Sequence, residues 1–293
     1  MREDAFSKRH PAVNFVFFLA AILGAALCQH PAYLLAGLVS GGAYYRLLHG
    51  RSARRFLLGL VPLFLVFTAV NPLFNTGGDT VLFTYFGRPY TLEALLYGAA
   101  LAAVFVHMLL WFGCYNAVLT SDKFTSLFGN LAPALSLLLV MVLRMIPNFL
   151  RRARQIAGAR ASIGRGSGGQ GSRRERLAEG MTVLSALTSW ALEGGLVTAD
   201  SMRSRGYGCA KRTSFRRYAM TGADYLLLAL EIALPVLALA LGDAEAAYTP
   251  DFYIAPLRGL PALGFAAYAA FLLLPTALHI KETVQWNISI SGI

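Results

Sequence analysis

The sequence predicts an all-α, polytopic membrane protein of about six transmembrane helices, with a cytoplasmic pair of helices in one long basic insert. Three observations predict it. The 293 residues are 56% hydrophobic with mean hydropathy +0.55 and only 14% charged, about half the charged share of a soluble domain. The apolar residues fall in blocks of membrane-spanning length. The entire charge excess sits in one place: residues 144–217 hold 15 Arg and Lys against four acids (Glu175, Glu179, Glu193, Asp200), a net of +11, while the remainder holds 11 of each sign.

Crossing about 30 Å of hydrocarbon takes roughly 20 apolar residues, with about 17 as the lower limit. Ala12–Cys28 and Pro31–Leu48 are the first two candidates, separated by Gln29-His30. Phe56–Val70 is the third, with Pro62 inside it, and a Gly-, Asn- and Pro-rich loop runs from Asn71 to Tyr90. Leu92–Leu119 is the fourth. Leu131–Leu143 is apolar for only 13 residues and reads as a separate buried or interfacial helix. Tyr225–Leu241 and Leu260–Ile280 are the fifth and sixth spans. The charged Met1–His10 segment is not followed by a small-residue cleavage site, so the first apolar run is expected to be a retained helix.

Lys and Arg mark the cytoplasmic side. Arg2, Lys8 and Arg9, then Arg46, Arg51, Arg54 and Arg55, then the 144–217 block fall on one side; the 29–30 turn, the 71–91 loop with Arg88 as its one cation, and 243–259 with Asp243, Glu245 and Asp251 fall on the other. This alternation predicts a multi-pass protein of the cell membrane with both termini inside. The domains expected are residues 1–130 (four membrane helices), 131–217 (cytoplasmic) and 218–293 (two membrane helices and a short tail).

Within the insert, Arg144–Ser162 reads as a helix with Pro147 near its start, and residues 164–172 as a Gly/Ser connection. A second helix from Arg173 carries Leu177, Met181, Leu184, Leu187, Leu192 and Leu196 as an apolar stripe. It breaks at Gly206-Tyr207-Gly208. Each helix ends in arginine followed by glycine, and each stripe has the other helix or the membrane domain to pack against.

Gly164, Gly166 and Gly169 satisfy GxGxxG only formally. A phosphate site needs a preceding strand and a helix N-terminus aimed at the phosphates; here a helix precedes and Gln170 stands in the lysine position. Positive charge within about 15–20 residues of the spans serves orientation and lipid contact. Arg160 and Arg165 lie deeper than that requires and point to a protein partner; with no interleaved aromatics, nucleic acid is not expected. Cys28, Cys114 and Cys209 are scattered and suggest neither disulfide nor zinc. His107 and Glu231 fall at membrane depth, where ionisable groups face the bundle interior; structural hydrogen bonding is the plainer role. No HExxH, GxSxG or carboxylate cluster is found, so neither catalysis nor a cofactor is expected.

At the two arginine-ending helices the sequence resembles the transmembrane T component of energy-coupling-factor (ECF) importers, the CbiQ-like family. One matching stretch runs from Leu143-Arg-Met-Ile-Pro through Ala159-Arg160-Ala161-Ser; the other is Ser204-Arg205-Gly206-Tyr-Gly followed by Lys211-Arg-Thr. The first departs from the family's Ala-Arg-Gly or Ala-Arg-Ser at Ala161. The Asp4–Pro11 opening is also similar. The resemblance implies a non-catalytic coupler for vitamin or metal-ion uptake. Two ABC-type ATPases would receive the arginine-bearing ends, at Ala159, Arg160, Ala161 and Ser204, Arg205, Gly206, and a small membrane S component would bind the substrate. The permease of another ABC-type importer is the alternative, but no E-A-A…G loop is found between the spans.

Overall fold

A computed structural model describes residues 4–85, 88–128, 133–164, 172–209, 218–243, 246–248 and 253–291. The chain divides into two compact units, Met1–Phe124 with Tyr218–Ile293, and Thr125–Arg217.

The first unit is a bundle of apolar helices: α1 (Pro11–Leu27), α2 (Pro31–His49), α3 (Ala53–Phe74), α4 (Leu92–Val118), α8 (Gly222–Leu241) and α9 (Leu260–Ser291). Pro31–Phe74, Leu92–Val118, Gly222–Leu241 and Leu260–Trp286 are long and apolar enough to cross a membrane, and Pro11–Leu27 is a shorter apolar helix. The chain is thus an all-α, multi-pass membrane protein. The first stretch comprises two helices, because a 3-10 turn at Gly50–Ser52 interrupts it and Gly50 takes φ 57°.

Helix starts follow from short local signals. His10-Pro11-Ala12 and His30-Pro31-Ala32 open α1 and α2 alike. In each, proline occupies the first turn, where no N–H partner is needed, and the histidine Nδ1 accepts the N–H of the alanine (3.1 and 3.2 Å). Nε2–H of His30 therefore donates to the Ala255 carbonyl at 3.1 Å. Thr221 and Asp224 form a reciprocal capping box at the start of α8.

Two features differ from expectation. α3 runs on to Phe74, through Pro72, where a loop was expected. Beyond it an antiparallel hairpin forms, β1 (Val81–Tyr85) with β2 (Arg88–Thr91), held at its base by the Thr80 N–H donating to Glu93 (3.2 Å) and Thr91 Oγ1 donating to the Gly77 carbonyl (2.8 Å). A second short ladder, β3 (Ala246–Ala247) with β4 (Tyr253–Ile254), closes the α8–α9 connection.

Lipid tails are as apolar as leucine, so close packing and hydrogen bonds rather than solvent exclusion hold such helices together. The core accordingly pairs bulky rings with glycines. Phe17 packs on Phe6, Trp111 and Phe271 at centroid distances of 5.2, 5.5 and 4.9 Å, each such pair contributing roughly 0.5–1.5 kcal/mol. Trp111 Nε1–H donates to the Gly37 carbonyl at 3.3 Å. A Cβ on Gly37 would stand 1.9 Å from the His107 ring, and one on Gly98 2.9 Å from the Thr68 carbonyl, which Pro72 leaves without its helical donor. Gly37→Val is expected to lower the stability of the detergent-solubilised protein by about 1–3 kcal/mol. His107→Ala in the same chain should restore part of the loss in a thermal aggregation assay; a double variant no better than the single would show that the clash is not with His107.

Both ionisable groups expected at membrane depth are buried. His107 (0% exposed) places Nε2 3.4 Å from the Ala21 carbonyl. Glu231 is 1% exposed and neither carboxyl oxygen has a partner among the described residues.

The segment ahead of α1 packs into the bundle. Asp4 and Phe6 are buried. Asp4 accepts from Tyr44 of α2 (2.7 Å) and from His279 of α9. Lys8 pairs with Glu282 (2.9 Å) and Arg9 with Asp224 of α8 (3.7 Å).

After a short helix, α5 (Ser121–Phe128), the second unit contains two long helices, α6 (Pro133–Ser162) and α7 (Arg173–Ser204). Residues 131–132 lie outside the described residues; from Pro133 on, the stretches expected as Leu131–Leu143 and Arg144–Ser162 are one element, and α6 continues through Pro147. That proline removes one N–H and frees the Leu143 carbonyl, but the turns on either side remain helical.

Candidate functional site

α6 and α7 pack as an antiparallel pair. Phe149 meets Trp190 edge-on at 5.7 Å, and Arg160 Nε lies 3.7 Å from Glu179 Oε1. Residue numbers rise on one helix as they fall on the other. Met141, Met145, Phe149, Ile156 and Arg160 line the half-buried face of α6; Glu179, Val183, Leu187, Trp190 and Gly194 line that of α7. The guanidinium of Arg152 stacks 5.5 Å from the Trp190 ring centroid.

The antiparallel register places the two arginine sites at opposite ends of the pair. Arg160 lies beside Glu179, and 26 residues of α7 separate Glu179 from Arg205, about 39 Å at 1.5 Å per residue. α7 ends as expected. Gly206 adopts φ 76°, its N–H donates to the Arg203 carbonyl, and the Tyr207 N–H donates to the Met202 carbonyl, both at 3.0 Å. This is a Schellman turn, which needs the left-handed residue that glycine supplies. Arg205 caps the helix, is exposed, and makes no ion pair among the described residues. Ser204 is exposed too, but its hydroxyl donates back to the Ser201 carbonyl (2.9 Å).

α6 ends differently. Arg160 sits in its last turn rather than at its end, and the left-handed glycine is Gly164, at φ 72°. Ala159 and Ala161 are exposed, whereas Arg160 is half-buried against Glu179. Arg165, Gly166, Gly169 and most of the Gly/Ser connection, together with Lys211-Arg-Thr, lie outside the described residues.

The apolar stripe of α7 does not pack against α6. Leu177, Met181, Leu184, Leu192 and Leu196 are 55–70% exposed. At 100° per residue they lie on the side of the helix away from Glu179, Val183 and Trp190. Only Leu187 of the expected stripe turns toward α6, on a face built instead around a tryptophan, an ion pair and small residues. Trp190→Ala is expected to loosen the pair by about 1–2.5 kcal/mol, from one aromatic contact and one cation–π contact. Hydrogen exchange along α6 and α7 should accelerate while the helices of the first unit keep their protection.

A family model described as cobalt transport protein, CbiQ, matches residues 4–215, 212 of the 293 residues. The chain belongs to the CbiQ family. A search among curated proteins finds no significant match. The family match covers the buried Asp4 segment, the first four membrane helices and both arginine sites. Membership makes this CbiQ-family chain a membrane component of a transport system whose family works with ATPase subunits.

Sequence reasoning missed the residues that hold the pair together. Glu179 and Trp190 carry no motif. The only available signal was the hairpin itself: with a short connection near residue 168, antiparallel pairing sets residue 160 against the region of 179.

Proposed function

We propose that this chain is the coupling subunit, or T component, of an ECF-type importer, without catalytic activity of its own. It passes the motion of two ATPases to a small membrane S component that holds the cargo. The observation that carries the reading is the position of the two arginine sites at opposite ends of one antiparallel pair. A helix pair with about 39 Å between its sites suits two separate partners, with Ala159-Arg160-Ala161 facing one and Ser204-Arg205-Gly206 the other. Guanidinium groups stay charged at all pH and bind carboxylates or helix-terminal carbonyls through a planar fork. The exposed α7 stripe is the apolar surface for a further partner, and the family description makes cobalt the first cargo to test.

Co-purification from membranes tests this directly. The tagged chain should bring down two ATPase chains and one small hydrophobic protein, and vesicles holding the whole assembly should accumulate cobalt only with ATP inside the ATPase compartment. A chain that purifies alone from native membranes and transports without ATPases would overturn the reading.

The same proposal puts both termini and the second unit in the cytoplasm, under the cell membrane. Cys209 is exposed, whereas Cys28 and Cys114 are buried. A membrane-impermeant thiol reagent is expected to modify Cys209 in inside-out vesicles and to leave intact cells unlabelled; labelling of intact cells would reverse the orientation.

A further inference from the structure

We propose that the β1–β2 hairpin is a membrane-interface anchor, seated in the lipid headgroup layer at the Phe74 end of α3. Its sequence is unlike that of a hairpin in water. A half-exposed strand alternates apolar and polar residues, but Val81, Leu82 and Phe83 are consecutive, apolar, and 52, 54 and 54% exposed. The irregularity between Val81 and Phe83 explains how all three stay uncovered: Leu82 is an extra residue opposite Thr91 and Tyr90, and the bulge breaks the alternation.

The depth of the hairpin follows from one hydrogen bond. Tyr90 Oη donates to the Ala69 carbonyl at 3.2 Å. Ala69 lies five residues before the end of α3, about 7 Å along its axis. The 22 residues of α3 span about 33 Å, close to the roughly 30 Å of the hydrocarbon layer. Tyr90 therefore lies beside the last turns of a membrane helix and not beyond them, and Phe83 stacks on it at 4.5 Å and 14°. A paired phenylalanine and tyrosine at that depth match the aromatic belt of membrane proteins, where rings with one wet end collect at the headgroups.

Lipid as the occupant follows from continuity. Val66, Val70, Leu73 and Phe74 of α3 are 57, 39, 39 and 82% exposed, and belong to the lipid-facing surface of a multi-pass protein. The hairpin bonds to that side of α3 and extends its surface. Strand β1 has an open edge, whose backbone groups need hydrogen bonds that hydrocarbon cannot supply; water and headgroups supply them at the interface. In open water the same apolar edge would pair with other chains.

The chain alone, with Cys209→Ser, is reconstituted in phosphatidylcholine vesicles carrying one nitroxide-labelled cysteine at a time. The positions are Leu82→Cys and Phe83→Cys, with Val66→Cys as the lipid reference and Asp79→Cys as the water reference. Labels at 82 and 83 are expected to collide with oxygen several-fold more than with a polar nickel chelate, as at Val66 and opposite to Asp79. Behaviour like Asp79 would place the hairpin in water and overturn the proposal. Exclusion of both reagents would place it against a second copy of the chain and overturn it equally. Phe83→Trp keeps the aromatic stack if cysteine disturbs it. Its added emission is expected to be quenched more by lipids brominated near the headgroup than by those brominated at the chain end; no added quenching by either would also refute the anchor.

Discussion

Arg205→Glu is expected to abolish uptake and to reduce ATPase capture by well over tenfold, with the protein inserted at normal abundance. Arg205 is the exposed cap of α7, and the Schellman turn behind it is made by backbone groups and Gly206 alone. Its side chain therefore contributes nothing visible to its own fold. Removing one side of a desolvated interfacial charge pair costs about 2–5 kcal/mol, and reversal adds repulsion. Arg205→Lys should recover only part of the loss, because an ammonium lacks the planar fork. The measurement is cobalt uptake and ATPase pull-down at matched membrane levels. Normal binding of both ATPases by an Arg160→Glu, Arg205→Glu double variant would sink the coupling role.

The second large effect concerns Arg160, which has a partner in its own unit. As a partly exposed pair at 3.7 Å, Arg160–Glu179 is worth only about 0.2–1 kcal/mol, so Glu179→Gln should leave the helix pair intact. Arg160→Glu is expected to weaken capture of one ATPase at least tenfold. The exchange Arg160→Glu with Glu179→Arg separates two roles. It restores an ion pair within the unit but moves the positive charge to α7, so uptake should stay low if Arg160 serves a partner. Full recovery in the exchanged chain would make Arg160 an internal strut.

Local features were legible where one physical rule acts alone. Hydrocarbon thickness sets block length, so the apolar helices stand out in the sequence. A left-handed residue is needed where a helix turns back, so Gly206 marks the end of α7. Elsewhere several rules compete. Pro147 looks like a boundary, yet the turns around it have no better alternative and α6 passes through. The 81–91 segment lacks the alternation that announces a strand, because its bulge and its apolar surroundings remove it. The α7 stripe shows the deepest ambiguity. Apolar periodicity says that a face will be covered, but not by what, and α6 took the tryptophan face instead. Arg160 stands out in the sequence by its motif, while its tie to Glu179 depends on a register that no local pattern states.

The N-terminal segment carries a consequence for biogenesis. Asp4 is sealed by Tyr44 and by His279, and 275 residues separate the first and last members of that triad. A ribosome delivers His279 only after five apolar helices have left it. Until then Asp4 lacks its companion on α9, although Asp224 of α8 has already reached Arg9, and the end of the bundle stays unlocked. A chain interrupted before His279 leaves Asp4 with Tyr44 alone. α9, made long after α1, is the helix that seals the segment ahead of α1.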